Sequence, residues 1–168
     1  SDVCSSDLYF CLLVTVSRSQ ESYFYPNAGK FNPQIPTPEK FLGYPIGEQH
    51  TRHESLVAYF KELDKLSERV SVEEIGKTFE NRTQIAAIFT SKKNHDRIEE
   101  IRKEHLAGQS NGATENVPLV IHLGYNVHGN EPSSSEAAML TAYYITASEN
   151  EETLKWLENM VILMDPVI

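Results

Sequence analysis

The residues of this chain that could do chemistry gather in one short stretch, Leu123-Gly-Tyr-Asn-Val-His128-Gly-Asn-Glu131-Pro-Ser-Ser-Ser-Glu136. It follows a nearly continuous apolar run, Val117 to Leu123, and leads into a second apolar segment from Ser133. Ligand sites in open α/β sheets gather at such strand ends. His128 and Glu131 stand three apart across the turn, so an imidazole nitrogen and a carboxylate can converge on one ion. Zinc accepts both ligand types, and a catalytic zinc needs one more protein ligand and a water. Gly129 lets the backbone turn tightly between them. With 6 His and 24 Asp+Glu in the chain, a bare His-x-x-Glu is a weak signal. Its setting of strand, glycine turn and helix raises it. The residues alone also admit a plainer arrangement, with Glu131 favouring the positive end of a helix and His128 in solvent.

Other candidates read as structural. His50 and His53 form a His-x-x-His pair, but at the start of a helix they are expected to face solvent. His122 lies within the apolar run and is expected to be a hydrogen-bonded core histidine. His95 and His105 belong to the surface of a charged helix. Ser133 with Glu136 fits a capping box, and no Ser-x-x-Lys or Gly-x-Ser-x-Gly accompanies it. Tyr143 and Tyr144 read as core. Asp165 reads as a strand-end residue at the same sheet edge as the His128 turn.

The elements that must position this turn follow from periodicity. Tyr23 to Gly47 carries Pro26, Pro33, Pro36, Pro38 and Pro45 among many rings. That density argues against a helix or a central strand and predicts an extended arm pinned by its aromatics. Thr51-Arg-His-Glu54 fits a capping box ahead of an amphipathic helix to about Arg69, with Leu56, Phe60 and Leu63 on one face. Val72 to Lys77 and Thr83 to Thr90 read as antiparallel strands. His95 to Leu106 is a charged helix, and Val117 to Leu123 a strand covered on both faces. Ser133 to Ala147 is a deeply packed helix, Glu151 to Met160 another, and Val161 to Met164 a buried strand. The order predicts an α/β fold, a mixed parallel/antiparallel sheet with helices on both faces.

Composition bounds the function classes. The 168 residues suit one domain, and 40% hydrophobic with 23% charged is globular. A net charge of -9 argues against a large nucleic-acid footprint, which needs a basic face. The longest apolar run, Leu8 to Val16, is too short to span a bilayer. It has the length of a secretory h-region, with Ser17 and Ser19 placed for a cut before Gln20, so a secreted or periplasmic location is expected. The plainer alternative is a buried first strand. No Lys or Arg precedes the run, and Ser1 to Asp7 carries two acids, so residues 1–19 read as a leader remnant behind a non-native start. Cys4 and Cys11 both lie there, so any metal site must use His and carboxylate ligands.

Beyond these readings, Ile75-Gly-Lys-Thr-Phe-Glu-Asn-Arg82-Thr-Gln-Ile85 resembles the hairpin of zinc carboxypeptidases of the carboxypeptidase A type. The preceding helix and the following His-x-x-Glu turn fall in that family's order. Val161-Ile-Leu-Met-Asp-Pro166 is similar to the strand that there runs into an Asn-Pro-Asp-Gly turn. The likeness spans about His50 to Ile168. It implies that residues 48–168 are the amino-terminal part of a catalytic domain, behind the arm at 20–47. It also implies a zinc cofactor, His128 and Glu131 as its first two ligands, and a peptide or protein substrate cleaved near a free C-terminus. Asn130 stands where carboxypeptidase A has a substrate-contacting arginine; it is a substrate-binding candidate, and the preference does not carry over.

His-Gly-Asn-Glu is also the form found in desuccinylase and aspartoacylase relatives, which cleave N-acyl amino acids. A third reading is a zinc-free binding module on the same fold. The family's third ligand and general-base glutamate lie downstream, so the reading frame is expected to continue past Ile168. The 168 residues alone are expected to be inactive, and to aggregate or stay loose with a sheet edge uncovered.

Overall fold

A computed structural model describes residues 21–111 and 116–167. The leader-like segment at residues 1–19 lies outside them. In chain order the elements are α1 (Glu21–Phe24), α2 (Pro38–Leu42), α3 (His53–Leu66), β1 (Val70–Lys77), β2 (Thr83–Phe89), α4 (Lys92–His95) and α5 (Ile98–Asn111). They continue with β3 (Leu119–Gly124), α6 (Pro132–Ala147), α7 (Glu151–Asn159) and β4 (Met160–Asp165). The strands form one mixed sheet in the order β1-β2-β4-β3. β2 pairs antiparallel with β1 and β4, and β3 runs parallel to β4. The fold is α/β, as the element order predicts.

Alternation along the strands gives the sheet two unlike faces. Ile85, Ala87, Phe89, Ile162 and Met164 point into the main core, where they meet Leu56, Tyr59, Phe60 and Leu63 of α3 and Met139, Ala142 and Tyr143 of α6. The intervening residues Ile88, Val161 and Leu163 turn to the other face, beside Ile98 and Ile101 of α5. Helix α6 is apolar almost all round because it is enclosed, with Ala138, Met139 and Ala142 wholly buried. Its carboxyl end is held by Arg69, whose Nη1 donates to the Ser148 carbonyl at 2.6 Å and the Thr146 carbonyl at 3.3 Å. Burial draws the Arg69 pKa down, and nearby Glu149 opposes that shift. The carboxyl end of α7 is similarly satisfied by buried Asn94, which donates to the Leu157 and Glu158 carbonyls.

The proline-rich segment is not free of helix. Pro38 opens α2 at its first turn, where no amide hydrogen is needed, Thr37 accepts from Lys40 N, and Gly43 closes it at φ 80°. Around α2 the segment is held by Tyr25, whose hydroxyl donates to the Leu140 carbonyl, and by Phe31 against Tyr143 and Tyr144. Tyr59 reaches out of the core to donate to the Pro36 carbonyl, and burial pushes its own pKa well up.

Three local expectations are corrected. Strand β3 is not covered on both faces: Leu119 and Val120 are 56% and 45% exposed, because β3 is an outer strand of the four. Thr51 does not cap α3. It is buried and donates to Glu136 Oε1 at 2.9 Å, and the helix starts from Arg52 without a side-chain cap. Glu136 consequently is no partner of Ser133. Its other oxygen accepts from Gly47 N at 2.9 Å, so this buried carboxylate ties the proline-rich segment to α6. A tertiary acceptor with two well-placed donors outcompetes a local cap, because a buried carboxylate must be hydrogen-bonded.

Candidate metal centre

The pairing directions bring three chain segments to one edge of the sheet. Since β2 runs against β4 while β3 runs with it, the start of β2 lies beside the ends of β3 and β4. The turn after Gly124 therefore emerges at the carboxyl ends of the parallel strands, next to the β1–β2 hairpin. The start of α3 is fastened there too, as His53 Nε2 donates to the Thr83 carbonyl at 2.8 Å.

Within that edge the 125–131 turn is built by directed polar contacts. Tyr125 N donates to the Asp165 carbonyl at 2.9 Å, continuing the β3–β4 ladder by one step. Asn126 then takes the left-handed conformation, φ 51°, and its backbone N–H donates to Ser134 Oγ at 2.7 Å. With its nitrogen facing the turn, the Asn126 amide donates to the His128 carbonyl (3.1 Å) and the Glu131 carbonyl (2.9 Å), while its oxygen accepts from Ser135 Oγ (2.9 Å). One 9% exposed side chain thus spans the backbone of both candidate ligands. Asparagine suits the position because it tolerates a positive φ and can bond its own loop. Glu131 N donates to His128 O at 3.0 Å, which closes the turn, and Pro132 starts α6 immediately after.

The consequence is that His128 Nδ1 and Glu131 Oε1 lie 3.3 Å apart, both side chains more than half exposed. Zinc–nitrogen and zinc–oxygen bonds of about 2.0–2.1 Å at a tetrahedral angle put two ligand atoms roughly 3.3 Å apart. The two side chains therefore fit two corners of a zinc tetrahedron. Among the described residues, no group of three or more His, Cys, Asp or Glu side chains converges.

The remaining histidines fall elsewhere. His50 is exposed, and His53 is half-buried against Thr83. His122 is no core residue: its side chain is 56% exposed on the outer strand, and its Nε2 donates to Asp165 Oδ2 at 2.8 Å. His95 is half-buried, with Nε2 enclosed and unpaired, and His105 donates to the Pro118 carbonyl at 2.7 Å. Asn130 is exposed beside Glu131. An open cavity of about 790 Å³ adjoins the turn, between the start of α3 and the hairpin, with Arg52, His53, Arg82, Gln84, Asn126 and Gly129 in its wall. The structural role of Asn126 could have been suspected from Asn next to a glycine-containing turn. The partners of Thr51 and Glu136 lie up to 89 residues away and leave no local signal.

A model of the zinc carboxypeptidase family, Peptidase_M14, matches residues 56–168, which contain both His128 and Glu131. The chain belongs to the zinc carboxypeptidase family. No curated protein sequence matches it. Among solved structures, this family member is similar to thrombin activatable fibrinolysis inhibitor (TAFI), with a TM-score of 0.52 and 13% identity. The likeness covers 89% of this chain and 30% of that one, and at such identity it supports the shared fold alone. The carboxypeptidase-family chain thus spans less than a third of that relative's length.

Proposed function

We propose that the chain is the amino-terminal part of a zinc-dependent metallocarboxypeptidase, which hydrolyses a peptide bond near a free C-terminus. The observation that carries this reading is the 3.3 Å separation of His128 Nδ1 and Glu131 Oε1 in a matched family member. Zinc bound there would polarise the scissile carbonyl and lower the pKa of a bound water. The chain's own residues do the positioning. Asn126 holds the backbone of both ligands, and Asn130 stands ready to meet the substrate beside them. Catalysis would further need a third protein ligand and a proton-accepting glutamate. Residues 20–47 act as an arm that braces the domain, and the Leu8–Val16 run directs the protein out of the cytoplasm.

Zinc titration tests the reading. Two protein ligands should bind zinc weakly, and His128→Ala or Glu131→Ala should reduce the affinity by roughly tenfold or more. His50→Ala should leave it unchanged. Binding that survives loss of His128 would remove the metal assignment and leave a zinc-free binding module. In the longer protein, hydrolysis of N-acyl amino acids in preference to peptides would assign the aspartoacylase-like activity instead.

A further inference from the structure

The cavity beside the 125–131 turn has two arginines and one carboxylate residue, Arg52, Arg82 and Glu54, in its wall. The chain as a whole carries -9, yet Arg52 and Arg82 both line this opening. Arg52 is exposed, and its guanidinium has no partner among the described residues. Among the described residues the Arg82 guanidinium pairs with Glu80 at 3.4 Å, with both side chains at least half in solvent, and such a pair is easily exchanged for another carboxylate. Glu54 is the acidic residue in the cavity wall, while Gln84 and Thr78 add neutral hydrogen-bonding groups. Both arginines are fixed in place by their backbones. Arg52 is the residue from which α3 starts, and Arg82 N donates to Thr78 Oγ1 at 3.1 Å within the hairpin turn. A volume of about 790 Å³ falls within the ~300–1,000 Å³ usual for ligand sites.

Asn126 and Gly129 link this wall directly to the turn that carries His128 and Glu131. We propose that the cavity is a subsite for acidic side chains of the peptide substrate, with Arg52 and Arg82 as its carboxylate-binding residues. The proposal rests on the peptidase reading for the word substrate, but the anion selectivity itself needs no metal. Guanidinium groups bind carboxylates through paired donors, so a glutamate should be preferred over its amide isostere. In an acidic protein the local cations would also reject other acidic surfaces less than the surrounding surface does.

The test uses the full chain and two fluorescent peptides, both acetylated and C-terminally amidated, Glu-Glu-Ala-Phe and Gln-Gln-Ala-Phe. Fluorescence anisotropy at low ionic strength should show the Glu peptide bound about tenfold more tightly, with salt closing the gap. Arg52→Gln and Arg82→Gln should each narrow the preference, and the double variant should abolish it while circular dichroism shows an unchanged fold. Equal binding of the two peptides, or a preference that persists in the double variant, would overturn the subsite. The failure of the zinc reading looks different. His128→Ala with unaltered zinc binding sinks that reading alone, whereas lost glutamate preference beside intact zinc binding sinks the subsite alone.

Discussion

Between the sheet and helices α3 and α6, Phe60, Phe89, Leu63 and Met139 are wholly buried, whereas on the outer strand β3 Leu119 and Val120 stay about half exposed. The candidate metal turn grows from the second region. It lacks the apolar enclosure that holds the first, and is held by the aimed hydrogen bonds that Asn126 makes with Ser134, Ser135 and the His128 and Glu131 carbonyls. The contrast shows how a fold can leave two candidate ligand side chains open to solvent and still fix their backbones. Apolar burial is non-directional and holds elements together, while hydrogen bonds are directional and hold a loop in one shape.

The largest effect expected from this contrast is on stability. Phe60→Ala empties a packed site against Phe89 and should cost about 3–5 kcal/mol in urea unfolding. Val120→Ala on β3 should cost less than about 1 kcal/mol, because little surface is buried there. Comparable losses at the two positions would mean that β3 is enclosed after all.

A smaller effect is expected at the turn. Asn126→Ala should lose about 1–2 kcal/mol and weaken zinc binding, since two backbone carbonyls and Ser135 lose their partner. Asn126→Gly separates the causes, because glycine keeps the φ of 51° but not the bonds. If the glycine variant matches the native chain in both measurements, backbone conformation alone holds the turn.

The smallest effect concerns the exposed ion pair between Lys61 of α3 and Glu74 of β1, which braces the packed region from outside. Its hydrogen bond and charge hold the Glu74 carboxyl below the ordinary value of 4.5. A folded-state pKa depressed in this way gives stability above the unfolded value, lost as pH falls through the folded one. Lys61→Met should therefore lower the melting temperature slightly at neutral pH, and the difference should close in acid and in high salt. A gap that persists in acid would point to lost packing of the lysine stem.

Much of this architecture is legible in the residues. The amphipathic spacing of Leu56, Phe60 and Leu63 announces α3, and the short Glu80-Asn81-Arg82 link makes β1 and β2 antiparallel neighbours. Local patterning suffices there because each residue's environment is set by its own element. Where a residue's partner lies far along the chain, the pattern misleads. Thr51 and Glu54, and Ser133 and Glu136, both have the spacing of a capping box, yet Thr51 and Glu136 bond each other across 85 positions. His122 follows the same logic: an apolar run predicts burial, but only the strand order places that run outermost.

By itself the sequence determined the longer elements and their α/β order, and it marked His128 and Glu131 as a pair that could converge, because a three-residue spacing around a glycine turn is a local feature. Only the tertiary structure decided what surrounds that pair. It set the hairpin and α3 beside the turn and gathered Arg52 and Arg82 onto one cavity. Those relations join residues some 30 to 75 positions apart. They depend on strand direction and register, which hydrophobic burial selects for the whole sheet at once and no short segment encodes.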